Sequence, residues 1–180
     1  MGKISTYPEK TTPAAGDFLL GDDTAGAQTA RFKIQNIPVR TDQIVDNYRC
    51  EYSRAASWSA GSGGIIAMDT LITDVGSHYS TSTGKYTAPV TGTYMVCASV
   101  GYGNPGNGAL ITSLAVNGAA ETWRLQETSI NNLGNRTQSG AREVHLNAGD
   151  TVAVYARSDG GATGGTGITT WLTISLKSND

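Results

Sequence analysis

Between Lys85 and Glu121 the chain carries no charged residue. A stretch of that length without charge either crosses a bilayer as a helix or folds into strands withdrawn from water on both faces. Pro89, Pro105, the turn Asn104-Pro105-Gly106-Asn107-Gly108, the pair Asn117-Gly118 and many hydroxyls interrupt it. The stretch therefore reads as strands, and no membrane insertion is expected. Within it Tyr94, Val96, Ala98 and Val100 alternate with Met95, Cys97 and Ser99. The period of two is that of a strand with the first set turned inward. A sheet facing water would usually place Lys, Glu or Arg on its other side. An outer set of Met95, Cys97 and Ser99 points instead to a second buried surface, most simply one between subunits.

The same rhythm continues through the remainder of the chain. The candidate strands are 49–58, 64–67, 84–88, 93–102, 109–116, 122–127, 136–146, 151–157 and 168–176. They are separated by turns such as 89–92, Asn117-Gly118, Asn147-Ala148-Gly149-Asp150 and Asp159-Gly160-Gly161. In the last strand Leu172, Ile174 and Leu176 share one side, while uncharged Trp171, Thr173 and Ser175 share the other. Short strands at regular intervals, without a fixed-period repeat, indicate an all-β sandwich or jelly roll. Residues 41–50 form the one possible helix, with Thr41 as its cap and Ile44, Val45 and Tyr48 on one face.

Composition narrows the function classes. Charged residues make up 16% of the chain, against about 25% in average proteins, and the net charge is −2 with Lys and Arg scattered. No basic stripe exists to bind phosphates, so no nucleic-acid partner is expected. Cys50 and Cys97 are far apart and read as buried free thiols of a protein folded under reducing conditions. No apolar signal core follows Met1.

The chemistry-bearing patterns are weak. Gly101-x-Gly103-x-x-Gly106 matches a dinucleotide fingerprint in letters, but Pro105 and Asn107-Gly108 leave no helix to complete it. His78 and His145 lack partners at metal-ligand spacing, and Asp22-Asp23 reads as a solvated turn. Glu121, Glu127, Glu143 and Asp150 cannot be placed as a catalytic pair by spacing alone. No catalytic residue, metal or cofactor is expected, and the chain does not read as an enzyme.

Residues 1–47 differ from residues 48–180, which carry the jelly-roll pattern. Pro8, Pro13 and Pro38 fall there, and the apolar residues come in two sets. One is Phe18, Leu19 and Leu20 between Asp17 and Asp22; the other is Phe32, Ile34 and Ile37, alternating with polar residues as in a short strand. So few apolar groups cannot bury a core alone, so the segment reads as an arm that packs on a partner.

Residues 85–96, Lys-Tyr-Thr-Ala-Pro-Val-Thr-Gly-Thr-Tyr-Met-Val, resemble the signature of the complement globular-head / tumour-necrosis-factor superfamily. The likeness continues in order through Leu114-Ala115-Val116-Asn117-Gly118, residues 144–152 and the closing residues 171–176. It departs from the family at Thr173, where a Gly is usual, and no collagen-like stalk precedes it. The resemblance implies a jelly roll of about ten strands that assembles as a threefold homotrimer. Tyr94 would then pack inside each sandwich, with Met95, Cys97 and Ser99 at the trimer interface. The arm, through residues 13–23 and 29–34, is similar to N-terminal segments of tailed-bacteriophage structural proteins. That likeness implies a virion protein, assembled in the bacterial cytoplasm as a trimeric capsid decoration (cement or head-fibre) protein. Asp17, Phe18, Leu19, Leu20, Asp22, Phe32, Ile34 and Ile37 would anchor it to the major capsid protein or another virion protein. The alternative is a receptor-binding module of a tail fibre or tail tip. Its apical loops 103–108 and 159–167, with Tyr102 and Trp123, would recognise host surface glycan or protein.

Overall fold

In the computed structural model the described residues are 18–22, 29–33, 48–59, 61–131, 134–164 and 170–179. The chain divides into two units, Met1–Arg40 and Thr41–Asp180. The first contains β1 (Phe18–Asp22) and β2 (Thr29–Lys33), paired antiparallel with Phe18 opposite Lys33 and Asp22 opposite Thr29.

In the second unit the strands are β3 (Arg49–Ser53), β4 (Gly64–Ile65), β5 (Thr70–Asp74), β6 (Tyr79–Ser80), β7 (Lys85–Thr87) and β8 (Gly92–Gly103). There follow β9 (Gly108–Val116), β10 (Ala119–Ile130), β11 (Arg136–Leu146), β12 (Thr151–Ser158), β13 (Thr163–Gly164) and β14 (Trp171–Asn179). They form two antiparallel sheets. One has the order β10-β9-β12-β7-β6, with β4 on β12; the other has β11-β8-β14-β3-β5, with β13 on β8. We call these the first and second sheets.

The alternation read from the sequence sets the core. Tyr94, Val96, Ala98 and Val100 of β8 are fully buried, as are Leu172, Ile174 and Leu176 of β14. They meet Leu110, Leu114, Val152 and Val154 of the first sheet in one cluster. Tyr94 packs inside as the resemblance implied, its hydroxyl donating to the Val90 carbonyl at 2.8 Å. Two residues earlier, Gly92 has no room for a side chain: a Cβ there would lie 2.3 Å from the Ser178 carbonyl oxygen.

A polar network ties the sheets together at one end. The Tyr102 hydroxyl donates to the Ile111 carbonyl at 2.7 Å and lies 2.8 Å from the Thr112 hydroxyl. Thr112 donates to Gln138 Oε1, and Gln138 Nε2 donates to the Leu110 carbonyl and the Thr128 hydroxyl. Gln138 is 2% exposed, so these bonds replace the water it has lost.

Several expectations are corrected. Arg49 and Cys50 belong to β3, not to a helix, because the chain here must pair with β14; residues 41–47 of that expected helix lie outside the described residues. The strand expected over 49–58 stops at Ser53, and Thr70–Asp74 adds β5 beside it, a pairing that no local pattern announced. Cys50 and Cys97 are free thiols, Cys50 buried and Cys97 half-buried.

Candidate assembly face

The two sheets turn different chemistry outward. On the first sheet Arg124 bridges Glu121 and Glu127, and Arg157 bridges Glu121 and Asp159. These bonds hold both guanidinium pKa values above their ordinary range, Arg124 chiefly through Glu121 and Arg157 chiefly through Asp159. By register the charges flank Ile111 and Ser113 on the same side, both of which are buried. Glu121 sits at φ 52°, a left-handed turn of the bulged β10 that aims its carboxylate at both arginines. Glu121 and Glu127 are thus held by cations, and Asp150 accepts from Asn117 and Asn147 in a turn. Among the described residues no group of three or more His, Cys, Asp or Glu is placed to hold a metal.

The outer side of the second sheet is different. One row across its strands is Ser139, Ser99, Trp171 and Ser53; the next is Ala141, Cys97, Thr173 and Glu51. The first row is uncharged from edge to edge. The row through Met95 is Glu143, Met95, Ser175 and Arg49, charged at both ends, and Lys177 reaches Glu143 at 3.9 Å. The uncharged area is therefore narrower than alternation along β8 suggested, because a strand's own sequence does not reveal its neighbours. Met95 and Cys97 are half-buried in the single subunit. Ser99 is only 2% exposed and accepts a 3.0 Å bond from the Ser139 hydroxyl. Thr173, at the position where the family usually has Gly, lies between Cys97 and Glu51 on this face.

At the far side of this face runs β5. A bulge opposite Glu51 and Tyr52 leaves Ile72 unpaired. Ile72 lines a groove of about 360 Å³ with Glu51, Ser53, Trp171 and Thr173. Leu71 is 59% exposed and Ile72 56%. No local pattern in the sequence marks this groove, since its walls come from three separate strands, β3, β5 and β14.

The apical loops do meet. A Cβ on Gly106 would lie 2.4 Å from the Gly160 carbonyl oxygen, so the loops touch backbone to backbone. Beside them Gly61, Ser62, Arg157, Asp159 and Gly161 line an open depression of about 570 Å³. Tyr102 is 1% exposed and spent in the buried network, so it has no surface with which to join the loops in recognising a glycan or protein. Trp123 is exposed, but it lies on β10 with the Arg142 guanidinium 4.0 Å above its ring. Of the arm residues, Phe18, Leu19, Leu20 and Asp22 lie in β1 and Phe32 in β2, where Leu19 is opposite Phe32. Asp17, Ile34 and Ile37 lie outside the described residues.

Two face-packed antiparallel sheets in this strand order, with Tyr94 at the centre, define a jelly-roll sandwich of the complement and tumour-necrosis-factor type. The C1q domain model matches residues 49–171, and the chain belongs to that family. Such domains are typically non-enzymatic binding or structural modules. Solved structures with the same fold include the globular domain of a zebrafish complement 1qA protein, at 14% identity and TM-score 0.57, covering 74% of this chain and 99% of that one. Murine APRIL at pH 5.0 aligns at 14% identity and TM-score 0.57, covering 71% and 97%. The Eiger TNF of S. frugiperda aligns at 15% and 0.57, covering 74% and 94%. No curated protein sequence matches the chain significantly.

Proposed function

We propose that this chain is a trimeric virion structural protein, a capsid decoration protein whose jelly roll assembles through the second sheet and whose N-terminal segment grips the particle. The observation that carries the trimer is the contrast between the two outer faces. Charges cover the first sheet, while an uncharged area around Ser99, Cys97 and Trp171 occupies the centre of the second. Domains of this family commonly form homotrimers. The likeness of residues 13–34 to phage structural segments supports the virion setting, and the division of the chain at Arg40 is consistent with a separate attachment unit. Three such segments per trimer bind as one multivalent ligand, so a weak grip per arm becomes tight attachment. The test is deletion of residues 1–40. The truncated protein is expected to remain a soluble trimer and to fail to join the particle; its assembly on particles would refute the anchoring role.

The second reading is receptor binding by a tail fibre or tail tip, favoured by the depression beside the touching loops 103–108 and 158–161. Binding of the isolated protein to host surface glycans, lost on Arg157→Ala, would select it.

A further inference from the structure

The depression beside the apical loops has a volume of about 570 Å³ and a polar lining. Small-ligand sites run from roughly 300 to 1,000 Å³. Asp159 is fixed there by the loop contact: its N–H donates to the Ala109 carbonyl at 3.0 Å, and a Cβ on Gly108 would lie 2.9 Å from the Asp159 Cβ. Arg157 Nε donates to Asp159 Oδ1 at 2.9 Å, and Arg157 Nη1 donates to Glu121 Oε1 at 2.8 Å. Among the described residues this leaves Arg157 Nη2 as a donor and Asp159 Oδ2 as an acceptor, on neighbouring side chains that are 34% and 45% exposed. Ser158 also lines the depression; it is 2% exposed, and its hydroxyl has no partner among the described residues. Exposed Ser62 adds a second hydroxyl. None of the described lining residues is aromatic or large and apolar.

This lining selects by charge and by hydrogen bonding. The linked ions are three carboxylates, Glu121, Glu127 and Asp159, against two guanidiniums, Arg124 and Arg157, so the local charge is negative and opposes an anion. Without an apolar wall, an apolar ligand gains nothing by entering. A fitting ligand is neutral and sets a donor beside an acceptor, as vicinal hydroxyls do, since each hydroxyl both donates and accepts. We infer that the depression binds a neutral hexose unit of a glycan. One sugar hydroxyl donates to Asp159 Oδ2, its neighbour accepts from Arg157 Nη2, and a third completes the bonding of the buried Ser158 hydroxyl. This rests on the receptor-binding reading and names the glycan class, neutral hexose and not uronic or sialic acid. Bonds that only replace bonds to water leave each site weak, with a Kd of about 1 mM, so firm attachment needs several sites acting together.

The test uses the full-length chain, with the methyl glycosides of glucose, galactose and mannose, glucuronic acid and sialic acid as probes in NMR titrations. At least one neutral hexose is expected to bind at least tenfold more tightly than either acid. Asp159→Ala should weaken that binding at least tenfold, and Ser62→Trp, which fills the depression from an exposed loop position, should abolish it; melting temperatures check that both variants fold. Asp159→Asn, which removes one negative charge, should narrow the gap between hexose and glucuronic acid. An acid that binds as tightly as the hexoses, or hexose binding that survives both Asp159→Ala and Ser62→Trp in folded protein, overturns this inference and leaves glycan recognition standing. A wild-type protein that binds none of the probes and no glycan on an array of host surface glycans overturns both this inference and the glycan form of the receptor-binding reading.

Discussion

Replacing Cys97 by Asp tests the proposed assembly face most directly. In the single subunit the side chain is half-buried, and its neighbours across the sheet are Ala141 and Thr173. A carboxylate there keeps access to water, so the isolated subunit should lose no more than about 1 kcal/mol. In a trimer closed over this face, three carboxylates lose that water with no cation among their cross-strand neighbours. An ion buried without partners costs more than the 1–3 kcal/mol of a neutral orphan, so about 2 kcal/mol per subunit is a low figure. Over three subunits it amounts to about 6 kcal/mol, or roughly four decades in the dissociation constant. Sedimentation equilibrium or light scattering across a dilution series reads this directly, with circular dichroism confirming the fold. Ser129→Asp, exposed on the charged first sheet, is the control and should leave assembly unchanged. If Cys97→Asp assembles as tightly as the wild type, the second sheet is not the contact surface.

Two further outcomes follow from the interior. Gln138→Leu keeps the bulk but removes the partners of Thr112, Thr128 and the Leu110 carbonyl; it should cost about 2–4 kcal/mol in urea unfolding, and a loss under about 1 kcal/mol would show that the network does not clamp the sheets. Burial, with the nearby Asp74 charge adding to it, pushes the Cys50 thiol up from 9.0 to about 12. Because the folded state holds the proton more tightly than the unfolded state, this contribution is complete below pH 9 and is lost as pH rises toward 12. Burial, aided by the hydrogen bond to Asp74 in the case of Tyr52, likewise raises Tyr52 and Tyr79 from 10.0 to about 12, so their loss joins above pH 10. Thermal melts should therefore fall steeply between pH 9 and 11, and Cys50→Ala should flatten the first part of that fall; an unchanged slope would refute the linkage.

The sequence determined the fold class and the core by itself. Strand alternation is local, so Tyr94 through Val100 and Leu172 through Leu176 could be assigned to the inside from letters two apart, and the turns followed from Gly, Asn and Pro. The lack of charge on Met95, Cys97 and Ser99 was equally local. Tertiary structure alone decided which strands lie side by side. That pairing placed Arg49 and Glu143 at the ends of the Met95 row and surrounded Cys97 with Ala141 and Thr173. It also sank Tyr102 into a network with Thr112 and set Ile72 in a groove with Glu51 and Trp171. These neighbours lie tens of residues apart, and only hydrogen-bond register between strands brings them together. A surface is made across strands, whereas a sequence is read along them.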